Sequence, residues 1–253
     1  MIWFFIVQAN IFFKLTILFY LISFCAYLYF AISRKHKYLP TFLLLLAWIF
    51  NALLIAYYGI IYKSFPAFTL HQKIILFTLI TIFIYLILEN LIRFRLLGIV
   101  FSLSSIFLLL FSLNFYDAKI FPPFWEEILC SAFEIFSFSF LFVSFFFSLL
   151  YLFFPETREL RGHWISLRNV NFTLYVNRFV NISLIVLFLT IFLNLLFIEN
   201  TLWKLTLKNE IFLLFTILYM FSFHLRKFER WRGKRLAWAI VIGSLIIIGL
   251  NFV

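Results

Sequence analysis

The side chains able to do chemistry are few, and most stand inside or beside long apolar runs. Glu134 lies about two turns into such a run, where an acid is costly and marks a pairing or functional position. The histidines are His36, His71, His163 and His224. His71 stands just ahead of an apolar run, and a polar residue at a helix start is ordinarily solvated. Cys25 falls in the middle of one run and Cys130 near the start of another. Two such cysteines make no disulfide framework, and a Cys-x-x-Cys-His haem-attachment motif is absent. Cys130 reads as a packed free thiol. Asn51, Asn181 and Asn194 read as hydrogen-bonding glue between helices. The sequence holds no Gly-rich phosphate loop, no Ser-His-Asp arrangement and no His-Cys metal spacing. The chemistry of a soluble enzyme is therefore not visible.

The elements that must position these residues are membrane helices. Hydrophobic residues make up 66% of the 253, and the mean hydropathy is +1.10. Soluble domains sit nearer half apolar, and a helix crosses a bilayer with about 20 apolar residues. The pattern predicts spans over 11–32, 40–61, 73–90, 96–115, 128–154, 180–198, 209–225 and 236–253, the third extending into its flanking loops. The expected fold is all-α: one polytopic membrane helix bundle covering 1–253, with about eight transmembrane helices. The first run lacks a basic start and a small-residue cleavage site, so it reads as an uncleaved span. The 41 phenylalanines suit lipid-facing and interhelical packing.

Basic residues set the expected orientation. Arg34, Lys35 and Lys37 follow span 1, and Arg93 and Arg95 follow span 3. Arg158, Arg161, Arg168 and Arg178 follow span 5. Arg226, Lys227, Arg230, Arg232, Lys234 and Arg235 follow span 7. These are 15 of the 21 Lys and Arg residues. Basic loops stay on the cytoplasmic side, so both termini and the even loops are expected outside the cytoplasmic (inner) membrane. The net charge of +11 is mostly this belt. It reads as a topology signal in contact with anionic lipid rather than as a nucleic-acid site. The outer loop 116–127, YDAKIFPPFWEE, is bent and aromatic at Pro122-Pro123. The inner loop 155–179 opens on Pro155, which ends span 5, and its four arginines suit an interfacial helix.

The C-terminal stretch carries a more specific pattern. His224 and Arg226 close one span, Trp231, Gly233, Lys234 and Ala237 form a basic turn, and Gly249 with Asn251 closes the last span. At these mutual spacings the stretch resembles the cytochrome c assembly family, the CcsA and HemX type of haem-handling membrane proteins. The middle agrees. Residues 65–98 are similar to the family's proline loop, third span, acidic span end at Glu89 and following Gly98. The run from Pro122 through Pro155 is similar to its loop and span 5. The resemblance covers nearly the whole chain.

The departures from that family bear on function. Its outer-loop motif falls on 203–209, where only Trp203 and a lysine, Lys208, persist. Its histidine ligands are replaced. One position is Asn51, fifteen residues before Pro66. Another is the Cys130–Ala132 region, and a third belongs past Val253. His71 is the only histidine expected at the outer face, so one chain cannot offer two ligands there. The resemblance implies haem as cofactor, with Trp203 as a wall for the porphyrin, Lys208 beside a propionate, and Glu134 and His71 nearby. Each also has a plainer reading. Trp203 is an interfacial belt residue, Lys208 a snorkelling base, and Glu134 a structural acid. The expected function is cytochrome c biogenesis: an assembly factor rather than an enzyme, presenting haem at the outer face beside a ResB-like or other assembly subunit. The alternatives are a HemX-like regulator of tetrapyrrole synthesis and a small-substrate transporter working past Glu134 and Asn51. Spans broken by Gly and Pro in matched halves, the mark of many transporters, are absent.

Overall fold

The computed structural model describes residues 2–33, 35–36, 38–62, 69–92, 95, 97–115, 125–153, 172–197, 216, 219 and 234–252. They are almost entirely helical, with no strand among them. The helices are α1 (Ile2–Ser33), α2 (Leu39–Tyr62), α3 (Leu70–Ile92), α4 (Leu97–Ser112, running into a 3-10 turn at Leu113–Phe115), α5 (Trp125–Phe153), α6 (Phe172–Leu196) and α7 (Lys234–Phe252). Five carry stretches long and apolar enough to cross a membrane: Ile11–Ser33, Leu39–Ile61, Leu70–Leu91, Leu97–Phe115 and Ile128–Leu150. Shorter apolar stretches lie at Arg178–Asn194 in α6 and Arg235–Ile247 in α7. In hydrocarbon every backbone N–H and C=O must be paired within its own segment, which is why such runs are helices.

The expected third span does extend, from 73–90 to Leu70–Ile92. α6 begins earlier than expected, so the end of the basic 155–179 loop is helical and continuous with it. The seventh expected span, 209–225, lies outside the described residues except for Thr216 and Tyr219, both helical. Loop residues 116–124 and 154–171 lie outside them too, as do His163, Trp203, Lys208 and His224.

The chain divides into two compact units, Met1–Ile135 and Phe136–Val253, with the division inside α5. In the first unit α1 packs on α2 and α4, and α3 packs on α2 and α4. Glu89 near the end of α3 meets Tyr27 near the end of α1 and Thr41 at the start of α2. His71 at the start of α3 meets Tyr58 near the end of α2 and Ser112 at the end of α4. The four helices therefore run up, down, up and down, as in a four-helix bundle.

The seams are read directly from spacing. α1 buries Phe13, Thr16, Tyr20, Ser23 and Tyr27, alternating steps of three and four. α2 buries Leu44, Ala47, Asn51, Leu54 and Tyr58 on the same rhythm. Lipid tails are as apolar as leucine, so such helices associate through close packing and small or polar residues. α4 supplies Ser102, Ser105 and Ser112, each donating to a carbonyl one turn back in its own helix. The Tyr27 ring lies against Gly98, where an added Cβ would meet its hydroxyl-bearing end.

The second unit repeats these devices. Ser137 of α5 and Ser183 of α6 donate to each other's backbone carbonyls at 2.8 and 2.9 Å. Tyr219 lies on Gly243 as Tyr27 lies on Gly98. Phe140 and Phe147 of α5 pack on Phe179 of α6. Asn194 is buried, but Asn181 is exposed, so the expectation of an interhelical bond does not describe Asn181. It falls on the wrong side of the α6 seam formed by Val180, Ser183, Leu184 and Leu187.

Candidate functional site

The polar side chains of the first unit gather at three levels along α3. At one end stands His71. Thr69 caps α3, its Oγ1 accepting from Gln72 N at 3.2 Å, so His71 sits in the first helical turn. It is 3% exposed, which corrects the expectation of a solvated residue. The helix starts three residues earlier than the apolar run alone suggests, and the extra turn carries His71 into the bundle.

Both ring nitrogens of His71 are engaged. Nδ1 lies 3.0 Å from Ser112 O and Nε2 lies 3.2 Å from Tyr58 Oη. A carbonyl only accepts, so Nδ1 carries the hydrogen and Tyr58 donates to Nε2. Phe13 closes the other side, with ring centres 5.8 Å apart. Two residues on, Lys73 pairs with Glu134 of α5 at 3.6 Å. The acid marked out by its place inside an apolar run thus has a cation, in keeping with the cost of an unpaired charge there. Glu126, Cys130 and Glu134 fall on one face of α5 at intervals of four. Glu126 and Cys130 are buried, and Glu126 Oε2 has no hydrogen-bond partner.

At the middle level stands Asn51, fully buried. Its Nδ2 donates to Tyr20 Oη at 3.3 Å and to Thr78 Oγ1 at 3.2 Å. That joins α1, α2 and α3, the bonding role expected of it. Its Oδ1 has no partner, nor does the hydroxyl of Thr81 one turn along α3. A buried polar atom left unpaired costs about 1–3 kcal/mol. Trp48 donates its indole N–H to Leu79 O at 3.1 Å, further tying α2 to α3.

At the far end Glu89 is 4% exposed. Tyr27 donates to Oε2 at 2.5 Å, Thr41 donates to Oε1, and Arg95 Nε lies 3.4 Å from Oε1. The Arg95 guanidinium stacks over Tyr38 at 5.0 Å and Phe30 at 5.7 Å, a cation–π arrangement. Its carbonyl accepts from Tyr85 Oη at 3.4 Å and from Gly98 N at 2.9 Å. One buried carboxylate and one arginine thus gather all four helices of the bundle. His36 stands at this end in the α1–α2 connection with φ 53°, a left-handed conformation that His adopts more readily than bulky residues.

Of the expected site residues, the structure places Glu134 and His71 in one region at the same end, linked through α3. Trp203 and Lys208 lie outside the described residues. The Glu89 knot, the Tyr58–His71 bond and the Lys73–Glu134 pair are not legible as contacts in the sequence. Thr69-Leu70-His71-Gln72, a capping-box pattern, is the signal that would have placed His71 inside α3.

A haem iron fits poorly at the His71 end as built. Ligation through Nε2 displaces the Tyr58 hydroxyl, and ligation through Nδ1 displaces the Ser112 carbonyl. Among the described residues no group of three or more His, Cys, Asp or Glu side chains could hold a metal ion. The fold and these buried polar levels define a multi-pass α-helical membrane protein. No protein-family model, no curated protein and no solved structure matches the chain.

Proposed function

We propose that the chain is an integral membrane protein of cytochrome c biogenesis, presenting or stabilising haem at the outer face of the cytoplasmic membrane. It acts as an assembly factor, and a ResB-like or other assembly subunit supplies the iron ligands. The observation that carries the reading is the meeting of Glu89 and Gly98. These two mid-chain positions of the family resemblance come together around Tyr27, which bonds the one and lies on the other. The engaged nitrogens of His71 support ligands coming from a partner. In this reading the chain crosses the membrane eight times with both termini outside, and Trp203 and Lys208 form the haem-facing strip.

The test is Trp203→Ala combined with Lys208→Ala in a cell that makes cytochrome c. Holo-cytochrome c yield should fall while the membrane level of the protein stays constant. Full yield at equal expression would reduce the strip to a membrane anchor. Full yield with altered tetrapyrrole levels would turn the reading toward the HemX-like regulator.

A further inference from the structure

The buried polar groups of the first unit form a file rather than scattered glue. His71, Thr78 and Tyr85 stand seven residues apart on α3, on one stripe of the helix. Thr81 and Glu89 lie one turn from its members. α1 faces this stripe with Tyr20 and Tyr27, and α2 with Asn51 and Tyr58. From His71 to Glu89 is 18 residues, about 27 Å along a helix, close to the thickness of a bilayer's hydrocarbon core of about 30 Å. The file thus runs from one titratable side chain to another across a membrane's depth.

Two features separate it from ordinary interhelical bonding. Polar groups that merely glue helices are satisfied by each other or by their own backbone, as Ser102, Ser105 and Ser112 are. Asn51 Oδ1 and Thr81 Oγ1, at the middle level, are buried and unpartnered. An acceptor and a hydroxyl left open deep in a membrane bundle are what water fills. The levels are about 10 Å apart along α3, a distance that the path requires water to bridge. Ionisable groups inside membrane spans, moreover, characteristically mark ion pathways and proton relays.

We propose that the first unit conducts protons between its two ends, along the file from His71 and Tyr58 through Asn51, Tyr20 and Thr81 to Tyr27 and Glu89. Each step is an exchange. A hydroxyl or water takes a proton from behind and gives its own forward. His71 keeps its Nδ1 hydrogen on the Ser112 carbonyl, takes a proton from water at Nε2 and gives it from that nitrogen to Tyr58 as the Tyr58 hydroxyl turns. Glu89 takes one from Tyr27 and gives it to water at the Arg95 end. One proton crosses, the hydroxyls and waters turn back to their starting orientations before the next, and no oxidant or reductant is needed. His71 is met by Tyr58 on α2 and by the Ser112 carbonyl on α4, and the charged groups at the same end are the Lys73–Glu134 pair and Glu126. Those facing Glu89 are Tyr27 on α1, Thr41 on α2, Tyr85 on α3 and Arg95, with Tyr38 stacked on the last. This inference does not depend on haem or on cytochrome c.

The test uses the purified full chain in phosphatidylcholine vesicles that enclose a pH-sensitive dye, with a potassium gradient and valinomycin as driving force. Proton uptake should exceed that of empty vesicles. Thr81→Val removes only the unpartnered hydroxyl and keeps the shape, so the variant should fold normally. Asn51→Leu removes the middle level. Either should slow uptake at least about tenfold, the equivalent of about 1.4 kcal/mol on a barrier. Helix content and gel-filtration profile establish that the variants are folded. If wild-type vesicles are no leakier than empty ones, the proposal is overturned. It is overturned equally if both folded variants conduct at the wild-type rate, because the path then lies elsewhere.

Discussion

Replacing Gly98 by alanine should destabilise the first unit even though alanine is the better helix former. The added Cβ meets the hydroxyl-bearing end of the Tyr27 ring, and that ring is 1% exposed, so it must shift against packed neighbours. Overpacking of this kind costs about 1–3 kcal/mol. A shift of the ring also stretches the 2.5 Å bond from Tyr27 to Glu89, and a bond to a charged acceptor is worth about 1.5–3 kcal/mol. The gain in helix propensity is at most about 1 kcal/mol. The net loss is then about 2–5 kcal/mol, which for a chain of this size lowers Tm by roughly 4–20 °C. The assay is thermal stability of the detergent-solubilised protein, followed by loss of the monodisperse gel-filtration peak. Tyr27→Ala provides the control, since in that background Gly98→Ala should cost nothing or stabilise by under about 1 kcal/mol. An equal fall in Tm in both backgrounds, or no fall in the wild type, would refute the packing argument.

Arg95→Ala should cost about 3–5 kcal/mol, because it strands a buried carboxylate. Adding Glu89→Gln to it should recover at least half of the lost Tm, and a single variant as stable as wild type would show that Arg95 is not the counter-ion. Reporter fusions after Lys37 and Arg235 should report cytoplasm and a fusion at Val253 the outside. A cytoplasmic signal at Val253 would overturn the eight-span topology and put Trp203 on the wrong side for haem presentation.

The helices are largely legible in the sequence, because an apolar run bounded by basic residues has one structural outcome in a bilayer. α2 and α4 fall within a residue or two of their expected starts at 40 and 96. α3 starts earlier because the Thr69 hydroxyl caps it, and capping depends on one side chain rather than on hydropathy. Asn51 is legible as an interhelical donor, since an amide in an apolar run must bond to a neighbour. Its partners Tyr20 and Thr78 are not legible, because they depend on which helix lies alongside. The same holds for Glu89. It reads as an acid marking the end of a span, and its burial follows only when Tyr27, 62 residues away, and Thr41 converge on it. Glu134 is legible as an acid in need of a partner, whereas Lys73, which pairs with it, reads as one more base at a span edge. Spacing finds which face of a helix is buried, but only the packing of the bundle decides which faces meet.

The most direct test of the proposed function is the haem content of the detergent-purified protein. Pyridine haemochrome quantitation and a reduced-minus-oxidised spectrum would be recorded for the wild type and for His71→Ala. The proposed reading predicts far less than one haem per chain, because Tyr58 and Ser112 already occupy the ring of His71 and a partner must complete the iron's coordination. A stoichiometric, low-spin, bis-histidine haem that survives His71→Ala would contradict it, and would place the ligands on histidines other than the one at this end of the bundle.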